Sequence, residues 1–437
     1  MKISEIDIKG LYGSYSYKIT QLEHQNLLLL TGYNGMGKTT VLNIVKGIAD
    51  SNLWFFYELP FDEINVCFED GLSLKMRHTT NDVELQKTVS DKSDANINPE
   101  RPLIYEWLKD GASLSRISVD RHAFYKAFVV LYKAEFISED DTDWIPLMKS
   151  RMNDVVSYIS RKQNAKSMDM LQSSVKAFMI PAQRVRQIRL KNPDEGRFPY
   201  DQSEFEEIDT IEVVAEKFGK LLDRKRIEFL TQMQSSKNGL MERLLDADAK
   251  DIGKDAYEAK AKEVQYKIDD LSQFGIAYEH IRPYNAANGK LLSAYLEGLK
   301  EMLEKFSGLI QDLKLFSSIL QKKHFLHKTI SFSPSYGFKA FDDKGISIPS
   351  SKLSSGEQNI IILLYRIIFE VHDGDILLID EPEISMHVVW LKEFIDDLQT
   401  IAATKSKVQI VIATHSPQIV RGAVGYCFDL EMNNDGK

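Results

Sequence analysis

The stretch from Leu27 to Lys46, LLLLTGYNGMGKTTVLNIVK, constrains this chain more than any other. Four leucines and Thr31 form a short apolar run of buried-strand type, and a helical pattern begins after Lys38. Between them, Gly32-Tyr33-Asn34-Gly35-Met36-Gly37-Lys38-Thr39 fits the phosphate-binding pattern G-x-x-x-x-G-K-[ST] residue for residue. Glycines at 32, 35 and 37 let the backbone aim its N–H groups at phosphate oxygens, helped by the partial positive charge of a helix N-terminus. In that reading Lys38 reaches the β- and γ-phosphates and the Thr39 hydroxyl holds Mg²⁺. At average composition a chance match in a chain of this length has odds of roughly one in a hundred, and the strand and helix flanks lower them further. Gly32, Asn34, Gly35, Gly37, Lys38, Thr39 and Thr40 are therefore the expected nucleotide-binding set, with ATP and Mg²⁺ as cofactors.

Composition narrows what surrounds this loop. At 437 residues there is chain for about two to three domains. A net charge of −9 argues against a constitutively basic nucleic-acid sleeve, though not against a local basic patch. Two cysteines, Cys67 and Cys427, are too few for a metal cluster and read as core thiols. The N-terminus MKISEIDIKG alternates like a strand rather than a signal peptide, and no run approaches the ~18 apolar residues of a membrane span. The expectation is a cytoplasmic protein with no membrane partner.

Taken in order, Ile3, Ile6 and Ile8 with the segment 12–19 suggest two strands before the loop, and a helix is expected over 39–48. Two β-type runs, 63–68 and 72–78, flank Glu69-Asp70-Gly71, a hairpin signal, and imply a small antiparallel sheet. Residues 81–100 are polar and read as a surface loop, and from Pro102 to Ser174 the pattern reads as helical. The aromatic stripe there, with Trp107, Phe124, Phe128, Tyr132, Trp144 and Tyr158, is read as core. A short strand over 175–180 leads into Pro181-Ala182-Gln183. From 210 to 273 and from 291 to 324 the chain is charged and helical; Leu292, Tyr295, Leu299, Met302, Phe306, Leu309, Leu313, Phe316 and Leu320 alternate spacings of three and four. Such a heptad seam signals a coiled coil or a long helical hairpin, with a plain bundle as the alternative that periodicity leaves open. Short strands are expected over 328–332, 336–341 and 345–348.

The last hundred residues carry a second set of chemical groups. Ser354, Ser355 and Gly356, within Leu353-Ser-Ser-Gly-Glu-Gln358, precede an apolar helix and would form another anion cradle, with a plain N-cap as the alternative. Seventeen residues after Glu357, Gly374-Asp375-Ile-Leu-Leu-Ile-Asp380-Glu381 is an apolar strand ending in two adjacent carboxylates. At the C-terminal end of a parallel strand they face the ligand crevice. Asp380 would orient the Mg²⁺ shell, and Glu381 would polarise the attacking water as general base. A further buried strand over 408–413 ends in Thr414-His415-Ser416-Pro417, which makes His415 a candidate γ-phosphate contact.

Together these motifs resemble the ABC-type ATPase head of the SMC, RecF and OLD superfamily. Lys38 and Thr39 match its Walker A positions, Ser354 to Gln358 its signature, Asp380 and Glu381 its Walker B, and His415 its switch histidine. Gln183 matches the Q-loop, and the resemblance implies that it is a metal ligand with Thr39 and Asp380. The order of the motifs agrees, with 145 residues from Lys38 to Gln183 and 170 from Gln183 to Leu353, the second gap holding the heptad seam. The implied fold is α/β: an ABC-type P-loop head of mixed sheet plus an antiparallel β subdomain, with an inserted helical lobe and a coiled-coil-like hairpin. Its implied division is 1–80 and 175–209 for head segments with the Walker A and Q-loop motifs, 81–174 for the lobe, 210–328 for the inserted helical region, and 329–437 for the head segment with the remaining motifs.

What the resemblance implies about function is ATP held between two chains. One would supply Lys38, Thr39, Gln183, Asp380, Glu381 and His415, and the other Ser354, Ser355 and Gly356, in a homodimer or higher homo-oligomer. Glu381 is followed by Pro382-Glu383-Ile384-Ser385-Met386-His387, with His387 where the family's D-loop often has Asp, which puts its contact across the dimer in doubt. This variant and the Thr-His-Ser-Pro switch look most like OLD-type ATPases, including the ATPase subunits of bacterial antiphage pairs such as Septu and PARIS. The 20 residues after Pro417 are too few for a Toprim nuclease, and Glu258-Ala259-Lys260 sits in a charged helical run that reads as a solvated face. The implied partner is then a separate effector nuclease, with DNA or a phage-derived molecule as trigger. A RecF-like repair ATPase is the alternative; an ABC transporter ATPase fits less well, lacking an insertion of this size. Arg184, Arg186, Arg189 and Lys191, Arg224-Lys225-Arg226 and Lys322-Lys323 are the basic clusters on which DNA contact would depend, and solvation is the favoured reading of them.

Overall fold

The structure is a computed structural model that describes residues 1–23, 26–79, 101–132, 139, 144–165, 174–184, 186–190, 205–245, 250–323 and 325–434. The expected loop over 81–100 and Lys191 lie outside the described residues. The chain forms two compact units: Met1–Ala182 with Val371–Ile384 and Leu391–Lys437, and Gln183–Glu370 with Ser385–Trp390.

The first unit is built on a five-stranded sheet in the order Cys427–Asp429, Leu27–Thr31, Gln409–Ala413, Ile376–Asp380, Ala177–Ile180, with every pair parallel. Its central strands are apolar without alternation because both faces are covered; all five residues of Ile376–Asp380 and of Gln409–Ala413 are buried. The helix Lys38–Ala49 lies on this sheet, burying Val41, Leu42, Ile44, Val45 and Ile48 at helical spacing.

A six-stranded antiparallel sheet, in the order Tyr15–Ile19, Ile3–Leu11, Glu63–Phe68, Leu72–His78, Leu103–Lys109, Ala112–Val119, shares its core with that helix. Gln409 stitches the two sheets. Only 1% exposed, it accepts from the Ile3 N–H (3.0 Å) and donates to the Ile3 carbonyl (2.7 Å). This satisfies two buried backbone groups at the end of the first strand.

The helical reading from Pro102 is corrected over its first part. Leu103–Lys109 and Ala112–Val119 pair as an antiparallel hairpin, and helix begins only at Arg121. The turn is Asp110-Gly111 with positive φ at both residues (49° and 82°), the backbone that a two-residue hairpin turn demands. Leu103, Tyr105 and Trp107 share one fully buried face of the strand, and Ile104 on the other face is buried as well. The aromatic residues do build core: Trp144 meets Trp54 edge-on at 5.7 Å and lies 5.8 Å from Phe128.

The second unit contains the helices Thr210–Leu245, Lys254–Ser272, Gly289–Glu304 and Ser307–Lys322 and a three-stranded antiparallel sheet, Lys328–Ser333, Gly337–Asp342 and Ser347–Ile348. The helix Ser355–Tyr365 runs on into a π-helical turn, Arg366–Glu370. Phe218 is the hub of its core, with ring centroids of Phe316, Phe332, Tyr365 and Phe369 5.2–6.0 Å away. The heptad seam is divided between two helices. Lys305 and Phe306 donate only three residues back, to Met302 and Leu303 (3.2 and 3.0 Å), and this tightened turn separates them. Leu296, Leu303, Ile310 and Ile319 are buried beside the seam residues Leu299, Met302, Leu313, Phe316 and Leu320. A stripe this wide is the face of a packed bundle rather than a strict two-stranded seam.

Candidate nucleotide site

Parallel register brings the first unit's motifs to one edge. Asp380 is level with Ala413, and Ala413 with Leu30. The segments that leave these three strands therefore emerge together at their C-terminal ends, the edge where open α/β sheets bind ligands. Those segments are Glu381 to Glu383, Thr414-His415 and the loop from Gly32.

The loop turns into its helix through Gly35 (φ 87°) and Gly37 (φ 83°). A Cβ on Gly35 would meet nothing within 4 Å, so the left-handed backbone, not crowding, requires glycine there. Gly37 sits at the N-cap of Lys38–Ala49 without a side-chain cap, which leaves the first helical N–H groups turned to the loop. Lys38 is 6% exposed, and its ammonium donates to the carbonyls of Gly32 (2.8 Å) and Tyr33 (3.1 Å), closing the loop around its own charge. Tyr17 braces the loop from the antiparallel sheet by donating its hydroxyl to the Met36 carbonyl (2.8 Å). Asn34 is exposed, and Thr40 pairs its hydroxyl with that of Tyr12 (3.0 Å), a contact that the sequence pattern did not reveal.

Thr39 Oγ1 lies 3.0 and 3.1 Å from the two carboxylate oxygens of Asp380, 341 residues away in the chain. A hydroxyl against a buried carboxylate is a hard oxygen pair of the kind Mg²⁺ takes, with phosphates and waters completing its octahedron. The donor set thus fits the ion, although among the described residues no group of three His, Cys, Asp or Glu forms a metal site by itself.

Glu381 comes next with φ 41°, a left-handed backbone rare for a non-glycine residue. Its N–H donates to the Ala413 carbonyl (2.9 Å), which pins the turn in this costly geometry. The ring of His415, half exposed, has Nδ1 3.8 Å from Glu381 Oε1 and 3.1 Å from Glu383 Oε1. The same Glu383 oxygen accepts from the Thr414 hydroxyl (2.8 Å) and the His415 N–H (2.7 Å). Sequence reasoning missed Glu383; its signal was a third carboxylate three residues beyond Asp380.

Gln183 and the segment from Ser354 belong to the second unit. Gln183 is exposed, three residues past the strand Ala177–Ile180. Ser354 caps the helix Ser355–Tyr365: its hydroxyl accepts from the Glu357 N–H (3.3 Å), and Glu357 accepts in return from the Ser354 N–H (2.8 Å). Glu357 is further held by Lys328, whose ammonium donates to both carboxylate oxygens (2.8 and 2.9 Å). Burial pushes the Glu357 carboxyl up, but Lys328 and the two bonds with Ser354 outweigh it and hold it below the ordinary value of 4.5. Gly356 has a steric reason to be glycine, since a Cβ would come 2.5 Å from the Ser385 carbonyl oxygen. Ser354 and Ser355 remain exposed at the helix N-terminus, and His387 is also exposed.

A family model described as an AAA ATPase domain matches residues 1–420. No curated protein matches the chain. Among solved structures, an Smc head bound to the C-winged helix domain of ScpA aligns over 97% of this chain and 92% of that one, at 12% identity and a TM-score of 0.34. The Smc head with an extended coiled coil from Pyrococcus furiosus, bound to the C-terminal domain of ScpA, covers the same shares at 11% identity and a TM-score of 0.35. The SMC head domain from Thermotoga maritima covers them at 9% and 0.32. Likenesses this loose carry no argument about function.

Proposed function

The chain belongs to the AAA ATPase domain family, and from that premise we propose that it hydrolyses ATP with Mg²⁺ at sites shared by two copies of itself, as a sensor or scaffold subunit of bacterial antiphage defence whose nucleotide state controls a separate effector nuclease. The observation that carries the catalytic part is the placing of the Thr39 hydroxyl 3.0 Å from Asp380, with Glu381 next in the chain and His415 3.8 Å from Glu381. Those four groups and Lys38 are what phosphoryl transfer to water requires: charge on the phosphates, a held cation, a base for the water and a contact for the γ-phosphate.

Each residue has a defined task in this reading. The loop N–H groups and Lys38 bind the β- and γ-phosphates, aided by the helix N-terminus. Thr39 and Asp380 would hold Mg²⁺, which would supply positive charge to the phosphate oxygens. Glu381, in its pinned turn, takes a proton from the attacking water, and His415 contacts the γ-phosphate. Ser354, Ser355 and Gly356 of a second copy close the site from the other side; the exposure of the two serines at a capped helix N-terminus suits anion contact. With the site incomplete in one copy, hydrolysis should depend on assembly.

The defence role is supported by the motif pattern, the Thr-His-Ser-Pro switch and His387 at the D-loop. Ion pairing also speaks against a free DNA-binding face: Lys225 pairs with Glu228 (2.8 Å), Arg226 with Asp223 (2.7 Å), and Lys323 is 3% exposed. Lys260 of the Glu-x-Lys triplet pairs with Glu297 (3.3 Å), in keeping with a solvated helix face. Among the described residues, no helix is long and apolar enough to cross a membrane. Affinity purification from the native host tests the role. A nuclease that copurifies and is released on viral challenge supports it; ATPase activity stimulated by DNA and falling steeply with salt, with no nuclease bound, replaces it with a repair ATPase.

A further inference from the structure

We propose that Glu383 is a positioning residue for hydrolysis: it clamps the turn after the Gln409–Ala413 strand and fixes which ring nitrogen of His415 carries the proton. The inference rests on the reading of His415 as the γ-phosphate contact and supplies that reading with the residue that orients it.

Three groups from the histidine turn converge on one carboxylate oxygen. Glu383 Oε1 accepts from the Thr414 hydroxyl at 2.8 Å and from the His415 backbone N–H at 2.7 Å, and lies 3.1 Å from His415 Nδ1. The negative charge of a carboxylate oxygen 3.1 Å from Nδ1 repels a ring lone pair and favours the hydrogen on that nitrogen, although the contact lacks hydrogen-bond geometry. Free imidazole in water favours the other tautomer; a carboxylate on Nδ1 reverses the choice and leaves Nε2 as the nitrogen available to a ligand. The Glu383 side chain is 8% exposed, whereas His415 is 50% exposed and Glu381 27%. Its other oxygen, Oε2, is buried without a hydrogen-bond partner among the described residues, so the carboxylate is held inside rather than turned to solvent.

A rival role for Glu383 is that of the general base itself. Burial and two donors on one oxygen argue against it, because a base must reach the water and release the proton it takes. Glu381, three times as exposed, is better placed. Glu383 thus acts through His415 and Thr414, as the outer partner of a ligating histidine does elsewhere.

The test is a double-mutant cycle in the full-length protein, with steady-state ATPase and ¹⁵N spectra of the histidine rings, His415 being assigned by its disappearance in H415A. Glu383→Ala should lower kcat by about 10- to 100-fold with little change in KM. Glu383→Gln, which still accepts from Thr414 and the His415 N–H, should lose less. In H415A, removing Glu383 should cost no more than about twofold, since both changes remove one interaction. The His415 ring signals should move from Nδ1-protonated toward Nε2-protonated in Glu383→Ala. An equal kcat loss with and without His415, or unchanged ring signals in folded Glu383→Ala and Glu383→Gln, overturns the proposal. If H415A leaves kcat intact while the ring signals still shift, Glu383 positions the ring and the phosphate-contact reading of His415 fails instead.

Discussion

Replacing Lys328 by Met tests how the signature segment is held. Lys328 is 25% exposed and Glu357 9%, and two charge-assisted bonds join them. Breaking a fully buried pair costs about 3–5 kcal/mol, and an exposed one contributes about 0–1. With one partner a quarter exposed, water screens part of the loss, and about 2 kcal/mol is the expected cost. Met keeps the apolar stem, so the change isolates the charge. Because two units need not unfold together, the assay is hydrogen exchange of the amides in Ser355–Tyr365 rather than a global melt.

At pH 7 those amides should exchange about 30-fold faster in the variant, the equivalent of about 2 kcal/mol. The effect should depend on pH in a stated direction. Glu357 is held below 4.5 when folded, so its contribution is complete above that value and is lost as pH falls through the lower folded value. The gap between wild type and variant should then close in acid. Glu357→Gln preserves the capping box, and in that background Lys328→Met should cost little. Exchange unchanged within about twofold at pH 7, or a loss undiminished by Glu357→Gln, refutes the account.

Further expectations concern other contacts. Gly356→Ala gains up to about 1 kcal/mol of helix propensity but drives a methyl against the Ser385 carbonyl, an overpacking cost of about 1–3 kcal/mol; faster exchange in the same helix checks the net loss. Gln409→Leu strands the Ile3 N–H and carbonyl in the core and should destabilise the first unit by about 2–4 kcal/mol, read from its urea midpoint. Thr39→Val removes the hydroxyl beside Asp380 and should lower ATPase activity by about 100-fold or more, with Mg²⁺-free ATP binding retained in calorimetry.

The gathering of the first unit's motifs at one sheet edge was legible because they are contiguous and each is attached to the end of an apolar strand. The loop glycines, Asp380, Glu381 and His415 needed only the inference that parallel strands deliver their C-terminal ends to one edge. Glu383 was overlooked because its task depends on a partner 32 residues away, and spacing does not reveal which turn a side chain will touch. Lys328 was invisible for the same reason. The hairpin at Asp110-Gly111 was misread because Trp107 was assigned to the aromatic helical stripe downstream; Asp70-Gly71, flanked by cleaner alternation, was read correctly. In the helical unit, periodicity located the apolar face but not the break at Phe306, since a three-residue hydrogen bond leaves the spacing of its neighbours almost unchanged.

The central claim is that the phosphate loop is half of a site completed by a second copy. Light scattering on the Glu381→Gln variant with ATP and Mg²⁺ tests it most directly, because removal of the base should trap the nucleotide between copies. The account predicts at least a doubling of the mass on adding ATP, reversed by Lys38→Ala or by Ser354→Arg. A mass equal to that of one chain with and without ATP, under conditions where ATP is bound, contradicts it.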